Sequence, residues 1–271
     1  TMSSMTRAVA APAADPAAAA ASTADMRGDW DYSALAASYD ARPGYASELL
    51  AEVFDAIDFC DEAQALDVGA GTGALTRHLC ARGAHVLACE PNPQMRALGA
   101  AKPECRGARW LAARGEALPL RAHSVDLIGY GSSFNVLPAD AALAEAARVL
   151  RPQGHWLALW NHRDLDDPLQ QAVEACIRRH LPDYRPGSRR EDPRPLLARS
   201  GLFGAAQAAE QRFEVEIDAQ EWMRAWRAHA TLRRQAGERF ADVLAAIQDC
   251  LGTTQQLRLP YHTRVYWAQR A

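Results

Sequence analysis

The chain has 271 residues, a net charge of −3 and 49% hydrophobic residues; that length buries a substantial core, and the charge lacks the basic excess a nucleic-acid partner demands. Only Lys102 among the 30 basic residues is a lysine, which leaves almost no candidate for Schiff-base or lysine-nucleophile chemistry. No apolar run approaches the ~18 residues of a membrane span, and cysteines at 60, 80, 89, 105, 176 and 250, without a C-x-x-C pair or histidines at metal spacing, read as free thiols of a reducing, cytoplasmic compartment with no metal site.

In chain order, residues 1–28 are alanine-rich with prolines and lack a cationic start followed by a continuous apolar stretch, so a flexible tail is expected rather than a signal peptide. One domain over 29–271 follows. Asp31 to Asp40 is a short helical pattern with Tyr32, Leu35 and Tyr39 on one face, broken by Arg42-Pro43-Gly44, and Ala46 to Phe59 is the next helix. The first strand, Leu66-Asp67-Val68, runs into Gly69-Ala70-Gly71-Thr72-Gly73. Ala74 to Ala81 is a helix with Leu75 and Leu79 on its buried face, and a second strand, His85 to Glu90, ends on an acid.

The glycines supply tight-turn dihedrals and close backbone approach. Gly69, Gly71 and Ala74 formally satisfy the dinucleotide fingerprint, which puts a pyrophosphate at the helix N-terminus. Asp67 argues against it, because a carboxylate at the strand end repels a doubly negative group and attracts an ammonium or sulfonium. S-adenosylmethionine is such a ligand: Glu90 accepts from its ribose diol while its amino group lies toward Asp67. Ala70, Gly73 and Pro91 complete this cradle, and Met95 covers the adenine face. The bland alternative is a βαβ unit with a purely structural glycine turn.

Pro91-Asn92-Pro93 ends the second strand, Gln94 to Ala101 is a helix, Trp110 to Ala112 a short third strand, and Ser124 to Tyr130 the fourth. The fourth strand empties into Gly131-Ser132-Ser133-Phe134-Asn135 at the carboxyl edge, near the point where strand order reverses and ligands bind. Asp140 is expected to cap a helix through Leu150, and Arg151-Pro152-Gln153-Gly154 to turn into a fifth strand, His155 to Trp160. Leu165 to Leu181 is a helical insertion, and 182–195 a proline- and arginine-rich loop that reads either as a lid or as solvated chain. Phe213 to Ile217 alternates as a strand, Asp218 to Leu251 is helical, and Tyr261 to Ala268 is a last alternating strand. Trp222, Trp226 and His229 share one face of the late helix, either as cap core or as an aromatic acceptor pocket.

These stretches resemble a class I S-adenosylmethionine-dependent methyltransferase, with a type 11 methyltransferase domain and similarity to the small-molecule branch of trans-aconitate methyltransferases. The matching motifs are YDARPGY (39–45), LDVGAGTG (66–73), CEPNPQM (89–95), GEALPL (115–120), ARVLRPQG (147–154), LALWNHRD (157–164) and LPYHTRVYWA (259–268). The resemblance implies an α/β, Rossmann-like, doubly wound, seven-stranded and mostly parallel sheet with an antiparallel last strand. It places the core at about 46–164 and 196–217 with 259–271, and helical cap insertions at about 165–195 and 218–256. It implies that Tyr39 and Arg42 face the methionine half of the cofactor and that Gly115 and Glu116 lie at the adenine edge. Arg114 stands where relatives carry a short acid or hydroxyl, and Phe134-Asn135-Val136 where they often carry Phe-His-Trp.

Methyl transfer from a sulfonium is an in-line displacement that asks mainly for positioning. Ser132, Ser133, Asn135 and Tyr39 are the candidate orienting groups, and Phe134, Asn135, Trp160, Trp222, Trp226 and His229 the candidate contacts to a small-molecule acceptor. The expected product is S-adenosylhomocysteine. Two alternatives stay open: intramolecular attack on S-adenosylmethionine with release of methylthioadenosine, and a binding module without turnover. Neither nucleic acid nor membrane is an expected partner, and the chain is expected to act as a monomer or homodimer.

Overall fold

The computed structural model describes residues 42–185 and 191–271. The expected tail, the helical pattern of residues 31–40 with Tyr39, and the middle of the 182–195 loop lie outside the described residues. The first half alternates strand and helix: α1 (Ser47–Ala56), β1 (Gln64–Val68), α2 (Thr76–Ala81), β2 (His85–Cys89), α3 (Pro93–Ala101), β3 (Arg109–Leu111), β4 (Val125–Gly131), α4 (Ala139–Val149) and β5 (Leu150–Arg163). Then come α5 (Pro168–His180), α6 (Arg194–Ser200), β6 (Gln207–Asp218), α7 (Ala219–Arg227), α8 (Ala230–Ala236), α9 (Phe240–Leu251) and β7 (Gln256–Gln269).

The seven strands form one sheet in the order β3-β2-β1-β4-β5-β7-β6. β1 is parallel to β2 and β4, and β4 to β5, while β7 slots antiparallel between β5 and β6. This is the expected doubly wound fold, with strand order reversing between β1 and β4. Both faces are covered, which is why β1 reads as a continuous apolar run broken only by Asp67. One face carries Leu66, Tyr130 and Trp156 under Leu143 and Val149 of α4. The other carries Leu157, Leu159 and Val265 under the Leu49, Leu50, Val53 and Phe54 stripe of α1. A third core unites α5, α7, α8 and α9 with the far ends of β6 and β7 through Trp222, Trp226, Val243, Leu259 and Tyr261.

Several local expectations change. The turn expected at Arg151 to Gly154 is a bulge inside β5: pairing shifts between Val125↔Leu150 and Leu127↔His155, and Gln153 takes φ +67° to absorb the extra residues. β6 runs twelve residues rather than five, because β7 pairs with it throughout. Asp140 does not cap α4, whose N-cap is Pro138; the carboxylate sits in the first turn, where it meets the positive end of the helix dipole. The helix expected over Asp218 to Leu251 is three. Asp218 caps α7 by accepting from the Gln220 and Glu221 amides, His229 opens α8 with Nδ1 accepting from the Leu232 amide, and Gly237 (φ +53°) ends it.

Candidate ligand site at the carboxyl edge

The turn after β1 is held from β2. The Gly69 and Ala70 amides donate to the Cys89 carbonyl at 2.9 and 3.0 Å, and the Gly73 amide to Ala70 at 2.8 Å. Gly69 and Gly73 adopt φ +67° and +89°, and a Cβ on either would stand 2.6 Å from Ser133 Cβ or Cys105 Sγ. No other residue fits there. The Met95 methyl lies 3.4 Å from where a Gly71 Cβ would be, so this side chain closes over the turn.

Two acids frame the turn. Glu90 accepts from the Gly71 amide on Oε2 and from the Asn92 amide on Oε1, both at 2.8 Å. Burial pushes its pKa up, and the two amides with Arg96 oppose the shift. Asp67 is fully buried; its Oδ2 accepts from the Thr76 hydroxyl at 2.6 Å, and its Oδ1 has no hydrogen-bond partner among the described residues. Burial, with repulsion from Glu90 and against the Thr76 bond, raises its pKa to about 7. An oxygen left unpaired in a dry site costs free energy until a donor reaches it, or until the carboxyl takes a proton.

Across the edge, Gly115 is packed so closely that a Cβ would meet Leu137 Cδ1 and Val68 Cγ1 at 2.7 Å. Glu116 Oε1 accepts from Arg114 Nε at 2.8 Å, and its Oε2 is buried without a hydrogen-bond partner among the described residues. Pro91 is exposed beside Glu90. Ser132 takes φ +60°, donates its amide to Leu159 at 2.9 Å, and pairs its hydroxyl with Tyr45 at 2.9 Å. The Ser133 hydroxyl donates to the Val68 carbonyl. Asn135 Oδ1 accepts from the Trp160 indole at 2.9 Å.

Other candidates fall elsewhere. Tyr39 is outside the described residues; Arg42 is half-buried at the bend before Pro43 and Gly44. Phe134 belongs to the core, its ring 5.3 Å from Tyr130 and 5.1 Å from Trp156. Trp222 and Trp226 are 2% and 4% exposed, inside the cap core. The Trp222 indole donates to the Tyr261 hydroxyl at 3.3 Å, and Trp226 stacks His229 at 5.3 Å and carries the Arg163 guanidinium at 5.0 Å. Both indoles are packed within the cap core.

Sequence reasoning missed two features. Tyr45 reaches Ser132 across 87 positions. A cleft of about 360 Å³ is lined by His162, Asp164, Glu210, His262 and Arg264 among others. There His262 bridges Asp164 (3.4 Å) and Glu210 (3.2 Å), and Arg212 and Arg264 close the network. The hydrogen bond from His262 brings Glu210 down to about 2, and Glu210 in turn raises His262. The signal was the polar end of LALWNHRD and the polar middle of LPYHTRVYWA, which β5 and β7 lay side by side. Among the described residues no cluster of His, Cys, Asp and Glu is placed to hold a metal ion, and no helix is long and apolar enough to cross a membrane.

A glycine cradle between two buried acids thus sits at the reversal point of a Rossmann-like seven-stranded sheet with β7 antiparallel. Residues 66–158 match the family model of the methyltransferase domain. An uncharacterized methyltransferase of Mycobacterium tuberculosis is 39% identical over 136 residues, 49% of this chain and 52% of that protein. An uncharacterized methyltransferase of Schizosaccharomyces pombe is 30% identical over 141 residues, 50% of this chain and 55% of that one. The chain thus spans about half the length of the curated relatives it matches. The YcgJ protein of Bacillus subtilis shares the fold, with a TM-score of 0.54 at 16% identity over 83% of this chain and 98% of that chain.

Proposed function

We propose that the cradle binds S-adenosylmethionine and that the chain transfers its methyl group to a small-molecule acceptor. The observation that carries the reading is the buried Asp67 Oδ1, without a hydrogen-bond partner among the described residues, beside a turn whose positive-φ glycines let the backbone pack where no Cβ fits. An ammonium donor suits that oxygen, and Glu90 keeps unused lone pairs on both oxygens for a diol after accepting from Gly71 and Asn92. Glu116 Oε2, likewise unpaired, suits an exocyclic amine at the adenine edge. The matched methyltransferase domain supports the same assignment.

Bound there, S-adenosylmethionine would supply an electrophilic methyl carbon for in-line attack by an acceptor's lone pair, with the S–CH3 electron pair leaving on the sulfur of S-adenosylhomocysteine. The chain's own part is positioning and exclusion of water. The Ser132 to Asn135 loop presents hydroxyls and an amide already engaged with Tyr45, Val68 and Trp160, so these groups orient rather than abstract protons. This set suits an acceptor that reacts from its ordinary free-base or ionised form, such as an amine or a carboxylate.

Incubation with S-adenosylmethionine and a panel of amines and carboxylic acids, followed by product analysis, tests the reading. S-adenosylhomocysteine with a methylated acceptor is expected. Methylthioadenosine as the product, or failure of calorimetry to detect S-adenosylmethionine binding, would overturn it.

A further inference from the structure

We infer that Tyr45 is a positioning residue for this site: its phenol holds Ser132 in a left-handed backbone conformation and so sets the course of the loop that closes the cradle. The inference rests on the methyl-transfer reading above for its effect on turnover, and on geometry alone for its effect on the loop. A serine in this region is disfavoured unless its surroundings over-determine it, and such residues gather at functional sites. Among the described residues, the other non-glycine positions with positive φ, Asp58, Glu62, His123 and Gln153, stand at turns and the β5 bulge, while Ser132 stands where β4 opens onto the carboxyl edge beside the glycine turn.

Tyr45 is itself fixed from β5 and β7, on the face of the sheet that α1 covers. The amide of its neighbour Ala46 donates to Thr263 Oγ1 at 2.9 Å, that hydroxyl donates to Asn161 Oδ1 at 2.6 Å, and Asn161 Nδ2 donates to the Pro43 and Gly44 carbonyls at 2.9 and 2.8 Å. From this clamp the 7%-exposed tyrosine passes over Gly131, where a Cβ would stand 3.1 Å from its hydroxyl, and reaches Ser132. Ser133 then bonds Val68 and packs against Gly69. A continuous set of contacts thus runs from β5 and β7 through Tyr45 to the glycine turn. With the phenol bond gone, the hydrogen bond from the Ser132 amide to Leu159 is left to oppose a return to an extended conformation, a change that turns the following peptide and carries Ser133 and Asn135 off their partners.

Tyr45→Phe keeps the ring and removes the bond; Ser132→Gly adopts a left-handed φ without help. Hydrogen exchange over residues 125–137 of the ligand-free chain is the first measurement. Tyr45→Phe is expected to speed exchange there about tenfold, as for a locally released segment, and to add nothing in the Ser132→Gly background. In turnover, Tyr45→Phe is expected to lower kcat about tenfold, as when only positioning is lost, with KM for S-adenosylmethionine within about twofold; in the Ser132→Gly background it lowers kcat no further. Wild-type exchange in Tyr45→Phe, or an equal acceleration in both backgrounds, overturns the inference. Absence of methyl transfer by the unaltered chain refutes the functional reading instead, and the exchange measurement still decides the role of Tyr45.

Discussion

The carboxylates at the two ends of the sheet's carboxyl edge are neutralised in opposite ways. At the β1–β2 end, Asp67 and Glu90 are buried, make no ion pair among the described residues, and have their pKa values pushed up by burial. At the β5–β7–β6 end, Asp164 and Glu210 sit among Arg212, His262 and Arg264, and their pKa values are pulled down. Acids already supplied with cations form an internal network. Acids buried without them remain open to a cationic or hydroxyl-bearing ligand, and the proposed S-adenosylmethionine site rests on that difference.

The largest expected effect separates the halves by stability. Trp222→Ala empties a fully packed position in the cap core and is expected to cost about 3–5 kcal/mol in chemical denaturation, with affinity for S-adenosylmethionine changed less than twofold. A parallel loss of affinity in calorimetry would break the comparison by coupling the cap to the cradle.

The pH dependence of stability sharpens it. Folded Asp67 keeps its proton to about pH 7, whereas the unfolded carboxyl releases it near 3.8. The unfolded state therefore binds fewer protons in that window, and stability falls as pH rises from about 4 to about 7, at most by roughly 1.4 kcal/mol per pH unit. Urea midpoints taken across this range should lose that decline in Asp67→Asn; an unchanged profile would mean another group is responsible.

Next in size, Glu90→Ala removes the acceptors for a ligand diol and is expected to weaken S-adenosylmethionine binding by about 1.5–3 kcal/mol. Its own bonds to Gly71 and Asn92 mean that part of the loss reflects a loosened turn. Unaltered affinity would remove Glu90 from the site. The smallest effect lies at the other end and has the opposite sign. Glu210, depressed from 4.5 to about 2, contributes stability above its unfolded value that is lost as pH falls through that interval. Melting temperatures of Glu210→Gln and the unaltered chain should therefore converge toward pH 2 and separate, modestly, above pH 5.

The strands, the glycine turn and the acid closing β2 were legible because each is a local pattern. Burial alternation, the φ > 0 demanded at Gly69 and Gly71, and the spacing from Asp67 to Glu90 are written within one βαβ unit. Element ends were less legible. β5 and β6 outrun their apolar cores because β7 pairs along both, and the late helix breaks at His229 and Gly237, where a side-chain cap and a left-handed glycine override helical spacing.

The sequence by itself determined the strand–helix alternation of the first half and the glycine turn after β1, since periodicity and glycine dihedrals act over a few residues; the doubly wound order came from the family resemblance. Only the tertiary structure decided which polar groups are open. That Trp222 and Trp226 are core, that Asp67 Oδ1 lacks a partner while Glu210 has two cations, and that Tyr45 holds Ser132, depend on contacts between positions tens of residues apart. Burial and neutralisation belong to the surroundings a side chain receives on folding, and no local pattern encodes them.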